Sequence, residues 1–118
     1  MQERSYSGQR AYSQSKLAQV MFTFDLAQEL QGSGVKVVAL HPATLMDTRM
    51  VHEAGVQPRS TVDEGATAVL HAVNDTTLVS GVFLTGLRES RANAQAYDAS
   101  ARAQLRAVSE RLTSAVKR

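Results

Sequence analysis

The run Val35-Lys36-Val37-Val38-Ala39-Leu40 constrains the fold of this chain more than any other stretch. It is short, apolar and rich in β-branched side chains, with Gly32 and Gly34 ahead of it and His41-Pro42 closing it. That pattern is the one expected of a buried parallel strand. A parallel neighbour needs a crossover element, and the sequence supplies one. Thr61-Val62-Asp63-Glu64 has the spacing of a capping box, and Val62, Ala66, Val69, Leu70 and Val73 then recur on one helical face. Gly81-Val82-Phe83-Leu84-Thr85-Gly86 follows as a second short strand between glycines. The expectation is a β-α-β unit with parallel strands and a right-handed crossover.

Helical patterns flank this unit on both sides. From Tyr12 to Leu30, one stripe is made by Leu17, Val20, Met21, Phe24 and Ala27, and a second by Ala18, Phe22, Leu26 and Leu30. Two apolar faces require cover on two sides, one of them from the sheet. From Asn93 to Val116, a final helix carries Ala101, Leu105, Val108, Leu112 and Ala115 or Val116 on one face. Residues 1–10 read as a polar loop, with Ser5 and Ser7 as loop residues. Residues Arg49–Ser60, which include Gly55 and Pro58, read as irregular chain. The fold class is therefore α/β, in the order helix-strand-helix-strand-helix with two parallel strands, and residues 1–118 form a single domain.

Composition narrows the functions available. The chain has 118 residues, a net charge of +2, 5% aromatic residues and no cysteine. Disulfides and thiolate metal sites are excluded, and the three histidines show no metal-ligand spacing, so no metal is expected. Arg102, Arg106, Arg111, Lys117 and Arg118 are spread as the solvated side and favourable end of a helix, not as a nucleic-acid-binding face. No apolar run approaches the ~18 residues of a membrane span, and the first residues lack the apolar core of a signal peptide. A cytoplasmic protein without nucleic-acid or membrane partners is expected.

Chemistry is concentrated in Tyr12 and Lys16. Four residues apart on a helix, they bring their Cβ atoms to roughly 5–6 Å on one face. An ammonium within roughly 4–6 Å of a phenol favours the phenolate, which suits the hydroxyl to exchange a proton near neutrality. Packing of a Tyr ring on a Lys stem is the commoner meaning of such a pair taken alone.

More than the pair is present. Tyr12-x-x-Ser15-Lys16-Leu17-Ala18, the long apolar helix, and Val35-Lys36-Val37-Val38-Ala39-Leu40-His41-Pro42 together resemble the short-chain dehydrogenase/reductases, in particular the branch similar to retinol dehydrogenases. The resemblance extends to Leu105-x-x-x-Ser109-Glu110-x-Leu112, so it spans essentially the whole chain and corresponds to the family's C-terminal part. It implies the C-terminal portion of a doubly wound Rossmann fold and hydride transfer between NAD or NADP and a small-molecule alcohol or carbonyl substrate. Tyr12 would be the acid/base, and Lys16 its activator and a contact to the cofactor ribose. Pro42, Ala43, Thr44 and Thr48 would lie at the nicotinamide end. Ala43 replaces the family's usual Gly, and Thr48 falls one place beyond the usual spacing, so Thr44 and Thr48 compete for that contact. Members often pair the Tyr-bearing helix with its copy in another subunit; a neighbouring helix of the same chain is an equal alternative for the second face of residues 12–30.

The glycine-rich turn that holds a dinucleotide pyrophosphate does not occur in this sequence, nor do the family's Asn-Asn-Ala-Gly strand end and catalytic Ser. The sequence is expected to be the second half of an enzyme, inactive alone and with apolar surface uncovered. A non-catalytic helical module that associates with itself or a partner through the exposed stripe of the first helix, residues 12–30, is the alternative. Sugar-nucleotide epimerases also use Tyr-x-x-x-Lys, but their corresponding strand end and larger C-terminal lobe differ from His41-Pro42-Ala43 and the short tail here.

Overall fold

A computed structural model describes residues 5–116; the reading of residues 1–4 as loop and of Lys117 and Arg118 as a cationic helix end lies outside the described residues. The elements are α1 (Gly8–Glu29), β1 (Ala39–His41), α2 (Arg49–Glu53), α3 (Val62–Asn74), β2 (Phe83–Thr85), β3 (Arg88–Ser90), a 3₁₀ turn (Ala94–Tyr97) and α4 (Ala99–Ser114).

The β-α-β expectation holds in its pairing: β1 and β2 are parallel, with Leu40 opposite Leu84. The strand count does not hold, because β3 returns antiparallel to β2 and makes a three-stranded mixed sheet in the order β1-β2-β3. Gly86, at φ 59, turns the chain between them. The first strand is also shorter than its apolar run. Over Val37, a side chain takes the place of a strand partner: the Val37 N–H donates to Ser80 Oγ at 2.9 Å, and only from Ala39 onward does backbone pairing become regular.

Helix α1 starts earlier than its apolar stripe suggests. Ser7 is its N-cap, accepting the Arg10 N–H at 3.2 Å, so this serine has a defined structural duty and is not a simple loop residue. The helix ends where glycine permits, with Gly32 and Gly34 at φ 82 and 86. Its inner stripe builds the main core, in which Met21, Phe24 and Ala96 are buried with Leu17, Val20, Phe83, Ala101 and Leu105 packed around them.

The final helix is split. Asp98 caps α4 by accepting from Ser100 N and Ala101 N, leaving residues 94–97 as a separate 3₁₀ turn whose Tyr97 ring lies 5.0 Å from Phe24. Helix α4 is then fastened to α1 by charge. Arg102 Nε donates to Asp25 Oδ1 at 2.8 Å while Nη1 donates to the Ala96 carbonyl at 2.9 Å. Arg106 reaches Glu29 at 2.5 Å and Glu110 at 3.0 Å; the hydrogen bond it donates to Glu110 and then the charge of Glu29 raise the guanidinium above its ordinary pKa. Helix α4 therefore lies along the Asp25–Glu29 side of α1 and adds Ala101 and Leu105 to the inner stripe, while Phe22 of the second stripe stays 52% exposed.

Helix α3 carries the expected capping box: Thr61 Oγ1 accepts the Glu64 N–H and Glu64 accepts the Thr61 N–H. Its apolar stripe is not buried, however. Only Gly65 and Ala68 are covered, while Val62, Val69, Leu70 and Val73 are 45–75% exposed. The whole chain shows the same deficit of cover. Its accessible surface is 8942 Å² for 12.8 kDa, against ~6,300 Å² for a compact monomer of that mass, an excess of about 2,600 Å².

Candidate active site

The spacing of Tyr12 and Lys16 is realised on α1. The Lys16 ammonium stands 5.5 Å from the centre of the Tyr12 ring, and Tyr12 is 54% exposed. Neither side chain belongs to the buried stripe, which runs through Leu17, Met21 and Phe24 and packs on Ala96, Ala101, Leu105 and Phe83. Ser15, between them, donates its hydroxyl to the Tyr12 carbonyl at 2.8 Å and so belongs to the helix backbone network. The arrangement leaves a phenol hydroxyl and an ammonium together on an open face.

The second group of expected residues follows β1. Ligands of open parallel sheets lie beyond the carboxyl ends of the strands, and residues 42–48 occupy that position. Pro42 and Ala43 are half-buried. The Thr44 hydroxyl lies 3.2 Å from Nε2 of His41, the last residue of β1. Leu45 then turns the chain with φ 47, a left-handed conformation costly for a branched side chain. It is held there by Arg59 N–H, which donates to the Leu45 carbonyl at 2.9 Å.

Thr48 is the N-cap of α2, its hydroxyl accepting the Val51 N–H. Residues 49–60 are accordingly not irregular throughout: α2 occupies five of them and buries Val51. Asp47 N–H donates to the Ser60 carbonyl at 2.9 Å, which closes the neck of the loop. Within it, His52 Nε2 and Asp47 Oδ1 are 2.5 Å apart, so His52 is exposed but not without a partner. Met46 anchors the neck to α3. A Cβ placed on Gly65 would overlap the Met46 sulfur, which makes the glycine a requirement of that contact.

No hydrogen bond among the described residues joins Tyr12 or Lys16 to the 42–48 loop; the two groups are each assembled on their own element. Two open grooves lie elsewhere. One, of roughly 560 Å³, runs between α1 and α4 over Phe22 and Leu105. The other, of roughly 940 Å³, is lined by Gly32–Lys36 and Thr77–Gly81, at the entering ends of β1 and β2. Neither groove is lined by the expected site residues. Among the described residues no group of three or more His, Asp or Glu side chains is placed to hold a metal, and no helix is long and apolar enough to cross a membrane.

The sequence around both groups has relatives. Residues 2–59 match the family model described as short chain dehydrogenase. Human (Homo sapiens) retinol dehydrogenase 13 is 61% identical over 41 residues, 35% of this chain and 12% of the relative. Human retinol dehydrogenase 12 is 44% identical over 52 residues, 44% of this chain and 16% of the relative. Mouse (Mus musculus) retinol dehydrogenase 14 is 50% identical over 40 residues, 34% of this chain and 12% of the relative. The matched stretch thus spans 12–16% of the length of these relatives. No solved structure gives a significant match.

Over residues 2–59 the chain is related to short-chain dehydrogenase oxidoreductases, and Tyr12, Lys16, Pro42, Ala43, Thr44 and Thr48 all fall inside that stretch. The resemblance expected through Leu105, Ser109, Glu110 and Leu112 lies outside it, because the match occupies the N-terminal half of the chain. Sequence reasoning did not single out Leu45, Gly65 or the Asp47–His52 pair. The only signals were a glycine inside an otherwise regular helical pattern and an Asp-Thr-x-x-x-His spacing.

Proposed function

We propose that this chain supplies the proton-transfer helix and the nicotinamide-side loop of an NAD(P)-dependent oxidoreductase acting on an alcohol or carbonyl. The observation that carries the proposal is the placement of Tyr12 and Lys16 together on the open face of α1, within the stretch related to retinol dehydrogenases. When bound, the nicotinamide accepts or gives the hydride. The Tyr12 oxygen takes the alcohol proton in oxidation and returns it to the carbonyl oxygen in reduction. Lys16, whose ammonium lies 5.5 Å from the ring centre, would support the Tyr12 oxygen in that exchange and donate to the cofactor ribose. General acid-base assistance of this kind contributes about 10²–10⁴ in rate.

The residues present fit the nicotinamide and ribose end of such a cofactor, with an ammonium, a phenol and the exposed Thr44 hydroxyl. They do not fit its pyrophosphate, for which no glycine-rich turn exists in the sequence. Tight binding therefore requires further polypeptide, and the surface excess of about 2,600 Å² relative to a compact monomer supports the same requirement. A second reading is favoured by one observation. The exposed Val62, Leu70 and Val73 of α3 form an apolar face suited to a non-catalytic association module.

The test is to express the chain joined to the reading frame that precedes it in its gene and assay NAD(P)-linked oxidation across alcohols, with Tyr12→Phe alongside. Turnover that falls at least about 10²-fold in the variant supports the proposal. Turnover unchanged in Tyr12→Phe removes Tyr12 from the chemistry, and an in-frame stop codon directly upstream favours the association module.

A further inference from the structure

Methionines among the described residues are covered to very different degrees. Met21 is 5% exposed inside the main core, and Met50 is 64% exposed on α2. Met46 lies between these extremes, half-buried, and its thioether has a structural duty. Its sulfur occupies the place a Cβ of Gly65 would take, with the terminal methyl 3.4 Å and Cγ 3.6 Å from that point. The side chain thus fills a notch that exists because α3 carries no side chain at residue 65.

The backbone around Met46 is the neck of the 42–60 loop. The Leu45 carbonyl accepts the Arg59 N–H at 2.9 Å, Met46 is bridged to Ser60, and the Asp47 N–H donates to the Ser60 carbonyl at 2.9 Å. Leu45, directly before Met46, is held at φ 47, a conformation that a leucine without such anchors leaves. One side chain in the notch therefore fastens to α3 a neck whose own backbone is strained.

Oxidation changes what the notch must hold. Hydrogen peroxide transfers one oxygen atom to a thioether: the S–O bond forms as the O–O bond breaks, sulfur gives up two electrons, and the peroxide is reduced to water. The product is a polar sulfoxide, whose oxygen requires a hydrogen-bond donor wherever it is buried. Gly65 offers none, because its N–H already donates to the Thr61 carbonyl, and Ala68, the other buried residue of α3, has no polar side chain.

We propose that Met46 is a reversible oxidation site: peroxide converts its thioether to the sulfoxide, which leaves the Gly65 notch and loosens the neck of the 42–60 loop. Reduction of the sulfoxide by a methionine sulfoxide reductase restores the anchor. Met50, exposed on α2, is oxidised without this consequence. The inference does not depend on the oxidoreductase reading, so a negative Tyr12→Phe result leaves it standing.

The test treats this chain with millimolar hydrogen peroxide and follows sulfoxide at each methionine by peptide mass spectrometry and amide exchange residue by residue. Met50→Leu removes the exposed competitor, and Met46→Leu removes the thioether while nearly conserving its volume. In wild type and Met50→Leu, sulfoxide at Met46 is expected to speed exchange at Asp47 and Arg59 by about 10-fold or more, the size of a typical single-site destabilisation. The α1 amides should keep their protection, and reductase treatment should reverse the change. Peroxide should leave the neck amides of Met46→Leu as they were. Met46 unmodified after Met50 is fully oxidised, Met46 sulfoxide with unchanged neck exchange, or equal quickening in Met46→Leu each overturns the proposal.

Discussion

The α1–α4 side of the molecule, with helices of 22 and 16 residues, and the 42–74 side, with helices of 5 and 13, are closed to different degrees. On the first, Met21, Phe24 and Ala96 are buried together, and Arg102 bridges α4, α1 and the 3₁₀ turn through one guanidinium. On the second, Val51 and Ala68 are the buried apolar side chains, and the apolar stripe of α3 faces outward. The loop that carries Pro42, Ala43, Thr44 and Thr48 is held by its own caps, neck hydrogen bonds and one methionine under Gly65, with little hydrophobic burial behind it. The difference teaches that cohesion in this chain comes from the α1–α4 side, while the candidate ligand side is shaped locally and open to further cover.

The largest effect that can break this comparison is expected at Phe24. It is 8% exposed and stacked near Tyr97, so Phe24→Ala removes the centre of the core at a cost of about 3–5 kcal/mol. Urea unfolding is expected to show a chain unfolded, or nearly so, in water. A cost comparable to that of Val51→Ala would mean that the two sides are equally cohesive.

Next is Arg102, whose side chain is 11% exposed against 21% for Asp25. Arg102→Met leaves the Asp25 carboxylate and the Ala96 carbonyl without their donor. Because Asp25 retains some water, the expected loss is about 2–3 kcal/mol, below the ~3–5 kcal/mol of a fully buried broken pair. Adding Asp25→Leu is expected to recover most of it. A single variant as stable as wild type would show the clamp to be ornamental.

Much of this architecture is legible in the residues because the relevant physics is local. The Thr61–Glu64 capping box, the glycine stop at residues 32–34 and the parallel β1–β2 pairing each follow from a few neighbouring side chains. What escapes is what depends on distant or absent partners. The stripe of Val62, Val69, Leu70 and Val73 states that a face is apolar and says nothing of whether this chain covers it. Strand β3, Arg88-Glu89-Ser90, has no apolar alternation; it exists because Gly86 turns it back onto β2. In the candidate site, the Tyr12–Lys16 spacing is legible as a helical interval. The roles of Thr44 and Thr48 are not, since capping and exposure are decided by where α2 begins.

Gly65→Ala sharpens the comparison on the open side. In a helix interior the substitution ordinarily stabilises by about 1 kcal/mol. Here the new Cβ meets the Met46 sulfur, and the displaced side chain offsets that gain. The net change is expected to stay within about 1 kcal/mol, while the consequence is local. Amide exchange at Asp47 and Arg59, the donors of the loop neck, should quicken while the α1 amides keep their protection. Equal quickening in α1 would show the two sides to be one cooperative unit.

The smallest expected effect is acid dependence at the end of α3. Hydrogen bonds from the Thr77 hydroxyl at 2.6 Å and the Thr77 N–H at 2.9 Å hold the Asp75 carboxyl below its ordinary value of 3.8. A carboxyl whose folded pKa is depressed contributes stability that is fully present above its unfolded value and is lost as pH falls through the folded one. Wild-type Tm should therefore decline as pH falls below about 4. Thr77→Val removes the hydroxyl donor and leaves the backbone one, so the decline should become shallower without disappearing. Asp75 lies at the α3–β2 junction, where Lys36 also donates to the Thr76 carbonyl, so the acid effect belongs to the open side. Amide exchange should locate it in residues 71–78 and leave the α1–α4 core unaffected; identical acid profiles for the two proteins would assign the loss to other carboxylates.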